Sequence, residues 1–347
     1  VAHPSPAHAP TGASDPEASP AALAQRITDL VNGFAVTQVT HAAAHFKLAD
    51  VLSDVAISAD EVARRIGIDP DRARRLLRAC VHVGLVRHDA GFVTTPVLGM
   101  LKDAPGSLRA FVLAVSGRGH WAPWGRFVDA IQTGQPQAVP ALGVELWDYY
   151  TRVPAEGALF TDAMTGMTSM VADEVVQAVD LTGSATIADI GGAAGALLIA
   201  VMAAYPHLRG ILMDRPDVVA TVQPPAAMRD RFTTAGGNFF EQVPAADAYL
   251  LKHILHDWDD AACLRILTSC ARAMTAGSRL FVIEMLVGDD SAPGYPAIMD
   301  LHMLVLLGAR ERTVAHYGEL FSAAGLQLFR VTPLRSGYAI LEATRAA

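Results

Sequence analysis

Apolar and polar positions follow two regimes along the chain. From Ala21 to about Ala104 apolar residues recur at helical spacing, broken by short polar gaps. Ser58-Ala59-Asp60-Glu61 reads as a capping box: the Ser58 hydroxyl accepts from a free N–H while Glu61 reaches back. The helix it starts ends near Gly67. A second begins after Asp69-Pro70, with Leu76, Leu77 and Val81 on one face and Arg72, Arg75 and Arg78 on another. Leu85–His88 and Phe92–Thr95, joined at Asp89-Ala90-Gly91, predict a small hairpin. Helix, turn, helix, hairpin is the layout of a winged helix.

Between 105 and 180 helical patterns alternate with Gly/Pro breaks, and aromatics cluster at Trp121, Trp124, Phe127, Trp147, Tyr149, Tyr150 and Phe160. A long helix is expected over Leu159–Val179, with Met164, Met167 and Met170 at three-residue spacing. Such a stripe suits plain core, and equally a wall that moulds to a flat aromatic ligand. From Thr186 the regime changes to short β-runs separated by helices. Thr186–Ile190, Gly210–Met213, Ala248–Leu251 and Arg279–Glu284 are expected strands, with helices around 195–205, 216–222 and 258–274. That alternation predicts an α/β doubly wound parallel sheet. Leu326–Val331 and Tyr338–Ala343 follow, so the sheet is expected to finish with an antiparallel edge strand. The expected divisions are a tail over 1–20, a winged-helix-like domain over 21–104, a helical bridge over 105–180 and a Rossmann-like domain over 181–347.

Composition narrows the class. Of 347 residues, 52% are hydrophobic and 18% charged, which is enough for a large core and too apolar for disorder. Twenty-seven Lys and Arg against 35 Asp and Glu leave a net charge of −8, which argues against a nucleic-acid partner and makes the 72/75/78 arginines a solvated face. Cys80, Cys263 and Cys270 form no C-x-x-C pair and predict a reduced, cytoplasmic protein. Residues 1–20 lack Lys, Arg and an apolar run, so they are not read as a signal peptide. The uncharged stretch Ile190–Ala204 is too short to span a bilayer, and no membrane partner is expected.

Two segments carry chemistry. Asp189-Ile190-Gly191-Gly192-Ala193-Ala194-Gly195 sits where a strand hands over to a helix, at the edge where open α/β sheets bind ligands. Asp214 ends the next strand, where an acidic side chain accepts from ribose hydroxyls. No Walker lysine and no basic cluster accompany the glycines, so an adenosine ligand without phosphates fits, and S-adenosylmethionine is one. The second segment, Leu251 to Asp260, includes Lys252, His256 and Asp257. His256 is suited to general-base work, and Glu284 and Glu311, at or near other strand ends, are placed to orient its imidazole.

The run from Gly237 to Asp260 resembles the hallmark of the S-adenosylmethionine-dependent small-molecule O-methyltransferases, of the plant caffeate and bacterial antibiotic-tailoring types. The glycine loop, Met213-Asp214-Arg215-Pro216, Phe160–Met164 and Ala309–Thr313 fall in that family's order. The resemblance runs from about residue 20 to the end. It implies a Rossmann-like methyltransferase sheet, an N-terminal dimerisation domain that makes the protein a homodimer, and methylation of a hydroxyl on an aromatic small molecule. It implies Asp189, Gly191, Gly192 and Gly195 around the methionine part of the cofactor, Asp214 on the ribose, Asn238 and Phe239 at the adenine, and Lys252 alongside. His256 would be the base, with Glu284 and Glu311 orienting it. Met164, Met167, Asp257, Asp300 and Met303 would meet the acceptor, and no metal is required.

Three positions depart from the family pattern. Ala193 replaces a glycine and is expected to be tolerated only with a negative φ. Asn238 replaces an aspartate but can still accept from an adenine amine. Ala309 replaces a glycine. Alternatives carried forward are a relative that binds the cofactor without methylating, a ligand-sensing winged-helix regulator, and a metal-assisted variant using His253, His256 and His302.

Overall fold

The structure is a computed structural model that describes residues 19–104, 106–288 and 294–345. The tail expected over 1–20 lies outside the described residues except for Ser19 and Pro20. The chain forms two compact units, one ending at Gly117 and one beginning at Arg118.

In the first unit, helices Ala59–Ile66 and Pro70–His82 precede an antiparallel hairpin of β1 (Val86–His88) and β2 (Phe92–Thr94). The Ser58 hydroxyl caps its helix by accepting from Glu61 N, but the Glu61 carboxylate turns outward to Arg64 and Arg65 instead of closing the box. The second helix is capped by the Asp69 side chain, which accepts from the amides of 71 and 72. Its buried face is Ala73, Leu77 and Cys80: of the expected Leu76, Leu77 and Val81, Leu77 is buried, Leu76 half-buried and Val81 exposed. Helix Pro20–Val31 buries no residue in this chain. Leu23, Ile27, Leu30 and Val31 recur at helical spacing there, followed by Phe34 in the next helix, Gly33–His45, each more than half exposed.

The second unit holds a seven-stranded sheet. Its strands are β3 (Thr186–Ile190), β4 (Arg209–Asp214), β5 (Phe232–Gly236), β6 (Ala248–Lys252), β7 (Arg279–Met285), β8 (Leu326–Pro333) and β9 (Tyr338–Arg345). They lie in the order β5-β4-β3-β6-β7-β9-β8. Strands β3 to β7 are parallel, and β9 runs antiparallel to both β7 and β8. The antiparallel strand is therefore last in the chain but not at the edge. Six of its eight residues are buried, whereas β8 is mostly exposed, so the more apolar strand takes the inner place. The edge strand β5 escaped the sequence pattern because Phe232-Thr233-Thr234-Ala235-Gly236 buries only its first residue.

Central strands are apolar on both sides, as parallel strands covered by helices must be. Ile187, Leu250, Phe281 and Ile283 pack with Leu198 and Val201 of helix Ala196–Ala204 and Val175 of helix Pro154–Ala178. Ala188, Tyr249, Leu251 and Val282 pack with Ile266 and Leu267 of helix Asp260–Ala273 and Phe321 of helix Val314–Ala323. The uncharged stretch 190–204 thus resolves into a strand end, a turn and a core helix. No helix among the described residues is long and apolar enough to cross a membrane.

Segment 105–180 is not a unit of its own. Helix Arg109–Val115 belongs to the first unit, where Arg109 Nε donates to Ala44 O at 2.9 Å and His41 Nδ1 meets Ser116 Oγ at 2.7 Å. The helices from Arg118 onward belong to the sheet unit. The chain winds from β3 outward through β4 to β5, then returns to place β6 on the other side of β3. Loops leaving β3 and β6 therefore part at one edge, opening a crevice at their carboxyl ends.

Leu250, fully buried at the centre of β6, reports on this core. Leu250→Ala is expected to cost about 2–5 kcal/mol, read as a lower urea midpoint with an unchanged slope.

Candidate active site

Both sequence segments meet at the crevice. After β3 the backbone turns through positive φ at Gly191 (+73°), Ala193 (+49°) and Gly195 (+77°) before the core helix starts. A Cβ on Gly191 would lie 2.4 Å from Ile254 Cδ1, and one on Gly192 2.5 Å from the Asp189 carboxyl. In this structure the glycines are therefore required by neighbouring side chains as well as by any ligand. Asp189 is buried beneath the loop, and burial, reinforced by Asp214, pushes its pKa up to about 7. Asp214 ends β4 and ties the loop down: Oδ2 accepts from Ala193 N at 2.8 Å and Oδ1 from Arg215 N at 2.7 Å. Burial raises its pKa.

Ala193 overturns the expectation of a negative φ. Its amide must face Asp214, and that bond holds an alanine in the left-handed region, where an L-residue is disfavoured by roughly 1–2 kcal/mol. Asn238 is exposed, and its Oδ1 accepts from Phe240 N in a local turn while Nδ2 donates to Glu241. Phe239 stands at the crevice, 3.7 Å from where a Gly191 Cβ would sit.

Beyond β6, Lys252 is half-buried with its ammonium over the Tyr338 ring, and burial pulls its pKa down to about 8. His253 adopts φ +55° and stacks on His256, ring centroids 4.6 Å apart. His256 is buried, and its Nδ1 donates to Glu311 Oε1 at 2.8 Å. Glu284 Oε2 is 3.8 Å from the same nitrogen, while Glu284 Oε1 accepts from the amides of Ile254 and Leu255 at 3.1 and 3.0 Å. Asp257 Oδ1 is 3.4 Å from the opposite nitrogen, Nε2. Burial alone would depress the His256 pKa, but the Glu284, Asp257 and Glu311 carboxylates outweigh it and lift it to about 10. Burial also raises Glu284 to about 7 and Asp257 to about 6. The arrangement is a proton acceptor with one nitrogen committed to a carboxylate and the other directed elsewhere.

Arg312 was in the sequence motif but had no assigned role. It is fully buried, and its guanidinium donates to Leu255 O, Trp258 O, Arg310 O and the Asp260 carboxylate. It clamps the segment carrying His256 to the segment carrying Glu311. Asp300 Oδ1 accepts from Glu311 N at 2.9 Å, which ties helix Pro296–Leu307 to the Glu311 segment. Met303 is buried, Met164 and Met167 are half-buried on helix Pro154–Ala178, and Met170 is exposed.

The donor atoms of His256, Glu284 and Glu311 lie within 4.8 Å of one another, close enough to share a cation. Nδ1 is already hydrogen-bonded there. The trio of His253, His256 and His302 does not converge: the first two are stacked, and His302 Nδ1 accepts from Trp124 Nε1 at 2.8 Å.

Comparisons with known proteins agree with this geometry. The O-methyltransferase domain family matches residues 124–327, and the O-methyltransferase dimerisation domain family matches 28–98. The chain is 35% identical over 328 residues to a phenazine O-methyltransferase of Lysobacter antibioticus, covering 92% of this chain and 96% of that protein. A methyltransferase of calicheamicin biosynthesis, solved in its SAH-bound form, superposes with a TM-score of 0.83 at 31% identity, covering 95% of this chain and all of that one (100%). Human N-acetylserotonin methyltransferase in complex with SAM gives 0.87 at 28% identity, over 96% and 100%.

The strained alanine gives a test of the loop. Ala193→Gly relieves roughly 1–2 kcal/mol of left-handed strain and loses about 0.5–1 kcal/mol to glycine's larger unfolded-state entropy. A net gain of about 0–1.5 kcal/mol in urea unfolding is expected from those two figures; a loss of stability would show that the loop is unstrained.

Proposed function

The chain belongs to the S-adenosylmethionine-dependent small-molecule O-methyltransferases, and on that premise we propose that it methylates a hydroxyl of an aromatic small molecule with His256 as general base. The observation that carries this reading is the buried imidazole whose Nδ1 is held by Glu311 at 2.8 Å, leaving Nε2 beside Asp257 at the crevice. The residues present fit an adenosine-bearing sulfonium. Asp214 offers carboxylate oxygens to ribose hydroxyls, Phe239 offers a ring face, and Asp189 with Asp214 favours a nearby cation. Gly191, Gly192, Gly195, Asn238 and Lys252 complete that side. Met164, Met167 and Met303 support a flat apolar acceptor, and a phenazine O-methyltransferase stands among the relatives.

Bound S-adenosylmethionine supplies an electrophilic methyl group on sulfur. The protein's own work is to remove a proton and hold geometry. Glu311 accepts a hydrogen bond from Nδ1–H and so keeps the proton there, leaving Nε2 the lone pair that takes the acceptor's hydroxyl proton. Once formed, the imidazolium lies among the carboxylates of Glu311, Glu284 and Asp257, which is why its pKa is lifted to about 10. The raised basicity brings the imidazole toward the range of an ordinary phenol, which favours proton transfer from the acceptor hydroxyl. Glu284 and Arg312 are positioning residues: one holds the backbone before His256, the other ties it to the Glu311 segment.

A homodimer is part of this proposal. Helix Pro20–Val31 buries nothing within its own chain, and its apolar face continues to Phe34. A second copy supplies the missing contact, in keeping with the dimerisation family matched over 28–98. The three cysteines are free and buried, which supports a reduced cytoplasmic setting.

His256→Ala is expected to keep cofactor binding by calorimetry and to lose transfer to an active phenol by about 10²–10⁴; unchanged transfer would remove His256 from the role. The neutral imidazole is the active form, and its raised pKa means kcat/KM climbs with pH across the neutral and alkaline range. Glu311→Gln removes a negative charge that stabilises the imidazolium, so the acid limb moves to lower pH while the plateau falls. A limb that stays put or moves up contradicts the assignment. Light scattering is expected to give twice the chain mass, and Leu30→Glu with Phe34→Glu is expected to give the monomer.

A further inference from the structure

Two buried carboxylate oxygens beside His256 are left over. Glu284 is fully buried and Glu311 nearly so, yet among the described residues neither Glu284 Oε2 nor Glu311 Oε2 has a hydrogen-bond partner. A bare carboxylate oxygen out of water is costly, and two of them in one cluster call for something to share. The cluster has the dimensions of a cation site. Glu311 Oε1 is 2.8 Å from His256 Nδ1, Glu284 Oε2 is 3.8 Å from it, and all three residues offer donor atoms within 4.8 Å of one another. A cation holding nitrogen and oxygen donors at about 2.1 Å sets neighbouring donors roughly 3.0–3.6 Å apart, between those two distances. The donors are also fixed from behind. Glu284 Oε1 is held by the amides of Ile254 and Leu255, and Glu311 N by Asp300 Oδ1 at 2.9 Å. Charge agrees: Glu284, Glu311 and Asp257 act on one imidazole, while Lys252 adds a single positive charge towards Glu284.

We propose that His256 Nδ1, Glu284 and Glu311 form a binding site for a divalent cation of the zinc class. One imidazole nitrogen with two carboxylates is a zinc-type donor set, whereas magnesium and calcium take oxygen alone. The consequence for activity rests on the reading of His256 as the base: the cation is an inhibitor, not a helper. Nδ1 can hold a proton or a cation but not both. In the active tautomer Nδ1 carries the proton and Nε2 the lone pair. A cation on Nδ1 displaces that proton, and the neutral ring keeps one proton by holding it on Nε2. No proton is gained or lost, and the lone pair that takes the acceptor's hydroxyl proton is gone. A ring protonated on both nitrogens instead releases its Nδ1 proton to solvent and ends in the same state. The hydrogen bond from Nδ1 to Glu311 is replaced by a shared cation, which also engages the two spare oxygens.

The test uses the untagged full chain, stripped with EDTA and dialysed against cobalt(II) chloride, because cobalt(II) accepts zinc's donors and absorbs visible light. A single tightly held cobalt ion per chain is expected, its absorption bleached by added zinc chloride. Transfer to an active phenol is expected to fall with cobalt occupancy and to return with EDTA. Glu284→Gln keeps an oxygen for the two backbone amides and replaces Oε2 with an NH₂ group, and Glu311→Gln likewise keeps an oxygen for Nδ1. Each is expected to weaken cobalt binding by at least about tenfold. The rival site is the pair His41 and His45, four residues apart on helix Gly33–His45 with ring centroids 6.3 Å apart. Cobalt absorption lost in His45→Ala but kept in both Gln variants overturns the proposal. So does the absence of any tightly held cobalt, which would assign the spare oxygens to water. Should Glu284→Gln fail to fold, Glu311→Gln decides. Cobalt binding that depends on both glutamates without loss of transfer would keep the site and remove His256 as the base, so the two readings fail separately.

Discussion

Everything in the catalytic unit depends on one change of direction. The chain lays β4 and β5 on one side of β3 and then returns to place β6 on the other. Because the loops after β3 and β6 leave in opposite senses, a crevice opens between them without any helix being pushed aside. The glycine loop lies on one wall and the His256 turn on the other. Ile254 reaches across to where a Gly191 side chain would otherwise stand, so the two walls are fitted to each other.

Into that crevice the fold places charge it must then balance. Glu284, Glu311 and Asp189 are buried, and each is an expensive group to take out of water. Glu284 is compensated by two backbone amides and Glu311 by the His256 imidazole, while Asp189 is offset only in part, by the Leu198 backbone and then by the opposing charge of Lys252. Arg312 spends its donors on three carbonyls and one carboxylate. The His256 imidazole is consequently both more basic and held in place, two properties that an exposed histidine does not combine.

Strands and their ends were legible because buried parallel strands are unbroken apolar runs, and the residues that follow them carry the chemistry. β3 was read to the residue, and the candidate residues Asp189, Asp214, His256 and Glu284 could all be singled out from their places at or after strand ends. The edge strand β5 was not, since one buried residue in five leaves no pattern. Ala193 was read as requiring a negative φ; the long-range bond to Asp214 dictates the opposite, and no local preference announces it. His302 and Trp124 are 178 residues apart in the chain, so their hydrogen bond has no signature in either neighbourhood. The boundary at Gly117 was equally hidden, because the pairing of Arg109 with Ala44 is set by packing rather than by local sequence.

The Arg312 clamp has a bearing on redesign. It makes the 255–260 turn and the Glu311 segment a single block, so a library randomised there would chiefly sample inactive proteins. Met164 and Met167 stand on a separate helix that shares none of those hydrogen bonds. On the proposed roles, breadth of acceptor scope and power of proton abstraction are separable by mutation, and catalysts drawn from this scaffold would change what they hold without relearning how to react.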